Sequence, residues 1–136
     1  MLTEEQLADE FIMLFPDNKI DYDEHMTHYS ELLGHIFFGH VINIPLSSLL
    51  ESNHDKETIQ KYVKFIEHMF VHGDEDVKNI VLVTVLEYLG DDDIVLKNLY
   101  SYLSDEFTEI SVQIEKSLGR RNIIISHKNG KRLIRW

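Results

Sequence analysis

Apolar positions along the chain recur at helical spacing in a series of short, separately punctuated stretches. Leu7, Phe11, Leu14 and Phe15 follow Thr3, a good N-cap with Gln6 placed to complete a capping box. Pro16 ends this first predicted helix, which runs from Glu4 to Phe15. Asp17–Tyr22 reads as a polar turn. A longer helix is expected from Asp23 to Ile42, carrying Met26, Tyr29, Leu33, Ile36, Phe37 and Val41. Gly34 and Gly39 either weaken it or allow a close helix contact. The Ile44-Pro45 step breaks the pattern, and a short helix is expected to restart at Pro45 and end at Glu51. Ser52-Asn53-His54-Asp55 reads as a loop.

The pattern is clearest between Lys56 and Leu118. Ile59, Tyr62, Val63, Ile66, Met69 and Phe70 form one stripe, closed by Gly73. Asp74 is the next N-cap, with Glu75 and Asp76 in the first turn, where the helix dipole favours them. Val77, Ile80, Val81, Thr84, Val85, Tyr88 and Leu89 form the following stripe, and Gly90 is expected at its C′ position. The valines lower helix propensity, and Ile80–Val83 alone could be a strand; the caps and the length favour a helix. Asp91-Asp92-Asp93 turns the chain. Leu96, Leu99, Tyr100 and Leu103 make the next stripe, and Ser104 caps a last helix carrying Phe107, Ile110, Ile114 and Leu118, stopped by Gly119.

The tail has a different period. Asn122–Lys128 and Lys131–Trp136 flank Asn129-Gly130, the strongest two-residue hairpin signal, because both turn residues need positive φ. That register sets Ile123 opposite Trp136, Ile125 opposite Ile134 and His127 opposite Arg132. A lone hairpin is marginal, so this one is expected to pack on the helices or pair with another chain.

The stretch GDEDVKNIVLVTVLEYLGDDD (Gly73–Asp93) resembles the second helix of a HEAT-type repeat: an acidic turn, a helix starting at Asp-x-Val, apolar residues in register, then another acidic turn. Taken with the preceding FIEHM (Phe65–Met69), it is also similar to small acidic HEAT-like helical bacterial domains, some associated with toxin–immunity systems. The resemblance implies a helical fold and an immunity or adaptor role, and it transfers no catalytic residue. The C-terminal RNIIISHKNGKRLIRW departs from that pattern. The fold expected is a mainly all-α single domain spanning 1–136. It comprises an antiparallel helical array of HEAT-like hairpins over 1–119 and a basic C-terminal β-hairpin or tail over 120–136.

Charge sharpens the functional expectation. Positions 1–118 hold all 24 acidic residues and seven of the 13 Lys and Arg, a net −17, whereas 119–136 hold the other six basic residues and no acid, a net +6. An acidic body repels nucleic acid and anionic membranes and attracts a basic protein; acidity also serves solubility alone. With no cysteine, disulfides and thiolate metal sites are excluded. The N-terminus has acidic residues where a signal peptide needs a basic flank and an apolar run, so a cytoplasmic protein is expected.

The candidate chemistry is thin. His25 and His28 share a helix face, and His68 and His72 stand at i, i+4, a spacing that lets two imidazoles grip one metal, but HExxH is absent. No GxGxxG, P-loop or GxSxG pattern is present, and Asp91–Asp93 lacks the ligand alternation of an EF-hand. A non-enzymatic immunity-type protein without cofactor is therefore the first expectation. It would neutralise a basic toxin domain through Glu75, Asp76, Asp92 and Asp93, with Tyr88, Tyr100, Tyr102 and Tyr62 as aromatic anchors. The alternatives are a His/carboxylate metal-binding protein or hydrolase built on His25, His28, His68 and His72, and a helical-array adaptor.

Overall fold

The computed structural model describes residues 1–136. Helix α1 (Glu4–Leu14) opens on the expected capping box: the Gln6 N–H donates to Thr3 Oγ1 at 3.2 Å and the Thr3 N–H to Gln6 Oε1 at 2.9 Å. A 3-10 turn at Pro16–Asn18 leads directly into α2 (Lys19–Tyr29), so helix begins four residues before Asp23. The expected helix from Asp23 to Ile42 is not one helix. Ser30 is left-handed at φ 63°, and residues 30–33 form a loop that buries Leu32. Apolar spacing continues across this break, which is why periodicity alone joined the two pieces.

A single rod follows, built from α3 (Gly34–Phe38), a π-helical segment at Gly39–Asn43 and α4 (Ile44–Ser52). Helix therefore runs through Pro45 instead of restarting there. Proline lacks the N–H and its ring crowds the carbonyl four residues back; the wider π turn ahead of it relieves both constraints. Gly34 is a close-approach glycine: a Cβ there would lie 2.5 Å from Glu4 Oε1 and 2.6 Å from Ile80 Cδ1.

Helix α5 (Lys56–His72) is capped by Asp55 and buries Ile59, Tyr62, Val63, Phe65, Ile66 and Met69. After Gly73 and the N-cap Asp74 a second rod forms from α6 (Glu75–Asn79), a π-helical segment at Ile80–Leu86 and α7 (Glu87–Leu89). Tertiary burial of Ile80, Val81, Val85 and Leu86 keeps the valine-rich stretch helical, and the wider turn relieves crowding between its branched side chains. Helices α8 (Asp93–Leu99) and α9 (Asp105–Ser117) follow, capped by Asp92 and Ser104. Gly119 stops the helical body at φ +70°.

Strands β1 (Ile124–Lys128) and β2 (Lys131–Arg135) pair antiparallel around Asn129 and Gly130, both at positive φ. The register is the expected one, with Ile125 opposite Ile134 and His127 opposite Arg132. The fold is thus mainly α-helical with a C-terminal β-hairpin. No helix is long and apolar enough to cross a membrane.

Thirty buried apolar residues form one core cluster. Phe11 is an aromatic hub within it, with ring centroids 4.7 Å from Phe15, 5.2 Å from Phe65 and 6.3 Å from Phe38. The two π-helical segments pack on each other through Asn43, which is buried and donates from Nδ2 to the Thr84 carbonyl at 3.0 Å. Asn43→Ala should cost about 1–3 kcal/mol, because the carbonyl loses a buried donor. Urea denaturation measures this, and an unchanged midpoint would show that the inter-rod bond carries no stability.

Candidate partner-binding surfaces

The start of α1 is stitched to the turn between α5 and α6. The Leu2 N–H donates to the His72 carbonyl and the Asp74 N–H to the Leu2 carbonyl, both at 2.8 Å. Two helix N-termini therefore lie side by side, each with an acidic first turn: Glu4 and Glu5 on α1, and Asp74, Glu75 and Asp76 on α6. None of these five carboxylates makes an ion pair with a basic residue. Lys78, the nearest lysine in sequence, instead donates to the Gly73 carbonyl at 2.6 Å. Burial holds the Glu4 carboxyl above its ordinary range; Glu5, Asp76 and Asp74 push the same way, and His35 opposes them. Helix dipoles offset part of the repulsion.

The second acidic turn, Asp91–Asp93, is not on this pole. It sits at the other end of the α6–α7 rod, roughly 20 Å away for 15 helical residues. Glu75 and Asp76 therefore cannot form one edge with Asp92 and Asp93, since helix starts on successive antiparallel helices fall at opposite ends. Asp92 caps α8 by accepting from the Ile94 and Val95 N–H groups. Asp91 pairs with Arg120 at 2.5 Å, and Asp93 pairs with Arg121, whose hydrogen bond and charge hold the Asp93 carboxyl below its ordinary range.

Between these two arginines lies Glu115, with a side chain only 1 % exposed, bonded to both of them. The same arginines also donate to the Glu87 and Gly90 carbonyls. Gly90 is not a left-handed C′ residue, because its φ is −79°. Its place is dictated by this cluster: a Cβ would run into Glu115 Oε2 and lie 2.5 Å from Arg120 Nη2.

The aromatic candidates divide by burial. Tyr88 is exposed on the surface, and Tyr102 is half-buried with its hydroxyl donating to Asn53 Oδ1 at 2.6 Å. Tyr100 and Tyr62 are core residues, so neither is available as a surface anchor. Tyr100 shares a hydrogen bond with Ser111 at 2.8 Å under the stacked ring of Trp136, and burial pushes its phenol up to about 12.

The histidines serve local structure. His25 is buried, and its Nε2 accepts from the Leu33 N–H at 3.0 Å, which braces the 30–33 loop. His28 lies against the Tyr29 ring. His68 bonds Glu10 at 2.8 Å and lies beside the His72 ring. His25 and His28 belong to α2 and His68 and His72 to α5, and no three His, Cys, Asp or Glu side chains converge as a metal-holding group.

A cleft of about 440 Å³ between α1 and α5 was not evident from the helical stripes. Met13, Leu14 and Phe65 line it, beside Lys61, Lys64 and the Glu10–His68 pair. Leu14 was expected in the core stripe but is exposed at this cleft; the clue in the sequence was Met13, apolar but off the Leu7–Phe11 face.

Residues 8–119 match DUF7674, described as a domain of unknown function. The chain belongs to the DUF7674 family. No curated protein and no solved structure matches it. The DUF7674 match takes in α5 to α9, the acidic α6 turn and Glu115; the two arginines that grip Glu115 and the whole hairpin lie beyond it.

Two outcomes are expected for this DUF7674 domain. Burial, with a smaller effect of His28, lowers the His25 pKa from the usual 6.5, and its bond from Leu33 requires a neutral ring. Asp21, Glu24 and His40 face the same hollow. The unfolded state takes up the proton more readily, so His25 contributes stability above about pH 6.5 that is lost as pH falls through the depressed folded value. Denaturation midpoints between pH 7 and 5 should therefore fall more steeply for the native chain than for His25→Gln; equal slopes would remove His25 as the cause. Glu115→Ala, which leaves Arg120 and Arg121 only the exposed Asp91 and Asp93 as carboxylate partners, should cost about 1–3 kcal/mol and weaken the near-ultraviolet signal of Trp136. A loss below about 1 kcal/mol, within the range of a surface pair, would show that the cluster behaves as an exposed one.

Proposed function

We propose that this domain is a protein-binding module of the immunity type, not a catalyst, which acts in the cytoplasm and holds a basic partner against the pole formed by Glu4, Glu5, Asp74, Glu75 and Asp76. One observation carries the reading: these five carboxylates are gathered at two adjoining helix starts with no cation paired to them, while the acids at the opposite end are partly neutralised by Arg120 and Arg121. Unpaired charge of one sign on a rigid surface steers an oppositely charged partner and raises its association rate. Tyr88 is an exposed aromatic at the other end of the same rod, roughly 20 Å from this pole, and is not part of the proposed contact. A helical adaptor is the second reading, supported by the apolar cleft between α1 and α5.

The triple reversal Glu5→Lys, Glu75→Lys, Asp76→Lys tests the first reading, since all three residues are exposed. The tagged chain, purified from its native host, should bring down a basic protein whose toxicity the native chain suppresses. Association with that partner should slow at least tenfold in the triple variant and should slow with added salt in the native chain. An unchanged on-rate in the variant, or a partner whose toxicity is unaffected by the domain, overturns the assignment.

A further inference from the structure

The C-terminal hairpin leaves the outer edges of both its strands without backbone partners, and the edge of β1 is the one that borders a groove. Its two-residue turn makes Lys128 and Lys131 the closing hydrogen-bonded pair, and the antiparallel alternation then bonds Ser126 to Leu133 and Ile124 to Arg135. The N–H and C=O groups of Ile125 and His127 consequently point away from β2, as do those of Ile123 just before the strand. The sheet has only two strands, and outside its own ladder no backbone–backbone hydrogen bond reaches any residue after Arg120. Such an edge is a template for another strand.

The surroundings of the edge select what can add. A groove of about 440 Å³ runs between β1 and α9, lined by Val112, Gln113, Lys116, Ile123, Ile124 and Ile125, with Glu109 at its rim. Side chains alternate along the hairpin. Ile123, Ile125, Arg132 and Ile134 turn toward the body, while Ile124, Lys128, Lys131, Leu133 and Arg135 stand on the outer face. Three of the six tail cations are spent internally: Arg120 and Arg121 on Glu115, and Arg132 on Asp105. Lys128, Lys131 and Arg135 make no ion pair, and neither does Lys116 across the groove.

The geometry points to the free edge of β1 as a strand-addition site for an extended acidic segment of a protein partner. Backbone pairing with Ile123, Ile125 and His127 supplies the binding energy, apolar side chains of the incoming strand enter the groove over Val112, and its carboxylates meet Lys116, Lys128 and Arg135. A second copy of the chain fits less well, because edge-to-edge pairing would set two hairpins with unpaired cations side by side. The site is separate from the acidic pole and selects charge of the opposite sign.

The test uses the full chain and a synthetic probe, an acetylated and amidated Glu-Val-Glu-Val-Glu-Val-Glu peptide. Amides of Ile123, Ile125 and His127 should exchange freely in the protein alone and slow at least tenfold with the peptide, while the inward-bonded amides of Ser126 and Leu133 change little. The reversal Lys128→Glu, Lys131→Glu, Arg135→Glu should weaken peptide binding at least tenfold in fluorescence anisotropy. His127→Pro removes one outward donor without touching the ladder and should weaken binding while the near-ultraviolet signal of Trp136 persists. No protection of the three outward amides at millimolar peptide overturns the proposal. Equal protection by a Lys-Val peptide overturns its acidic selectivity, and concentration-dependent protection without peptide, together with a dimer in sedimentation, replaces the partner with a second copy.

Discussion

Helix α5 has to be covered on several sides at once, and the rest of the molecule is arranged to do so. Its buried residues include Tyr62, Phe65, Ile66 and Met69, which face more than one neighbour. Phe11 and Phe15 close one side from α1, the two rods pack along it, and Phe107 reaches Phe70 from α9 at a ring distance of 5.2 Å. A helix of 17 residues is marginal alone in water, so it is the burial of this face, more than propensity, that holds it. The same demand explains the π turns, which widen each rod where Pro45 or a run of branched side chains would otherwise crowd it.

Electrostatics then divides the surface into regions of different character. Acidic first turns suit helix dipoles at both ends of the α6–α7 rod, but only one end has basic residues to answer them. The tail returns to the Asp91–Asp93 end through Glu115, and Arg132 reaches across to the Tyr100 and Leu103 carbonyls and to Asp105. Three arginines thus bolt the hairpin to the body. Among the charges without an ion pair are the acidic pole at the starts of α1 and α6 and the cations of the hairpin, Lys128, Lys131 and Arg135. On the reading proposed above, each is a surface that meets another chain.

The histidines show how tertiary placement assigns roles that a residue count leaves open. Eight copies in 136 residues suggest metal chemistry. His25, however, is a buried acceptor in a loop brace, His68 is paired with Glu10, and His35 bonds Thr84 in the seam between the rods. Spacing along a helix brings two imidazoles together, but the one carboxylate that α1 brings to this pair, Glu10, is hydrogen-bonded to His68, and no three such side chains converge as a metal-holding group.

Local chemistry made much of this protein readable from its sequence. The Thr3 capping box, the Asp74 and Ser104 caps, the stripe on α5, the stop at Gly119 and the hairpin register around Asn129-Gly130 each depend on neighbours a few residues away, and each lies where local rules place it. Periodicity could not reveal the break at Ser30, because apolar positions keep their phase across it, nor the continuous helix through Pro45, whose relief comes from a π turn that the second rod packs against. The sequence also could not say that Tyr100 lies beneath Trp136, that the two acidic turns sit at opposite ends of one rod, or that Glu115 is the buried partner of two arginines. Those are facts about which distant segments meet, and burial against remote side chains, not the order of residues along the chain, decided them.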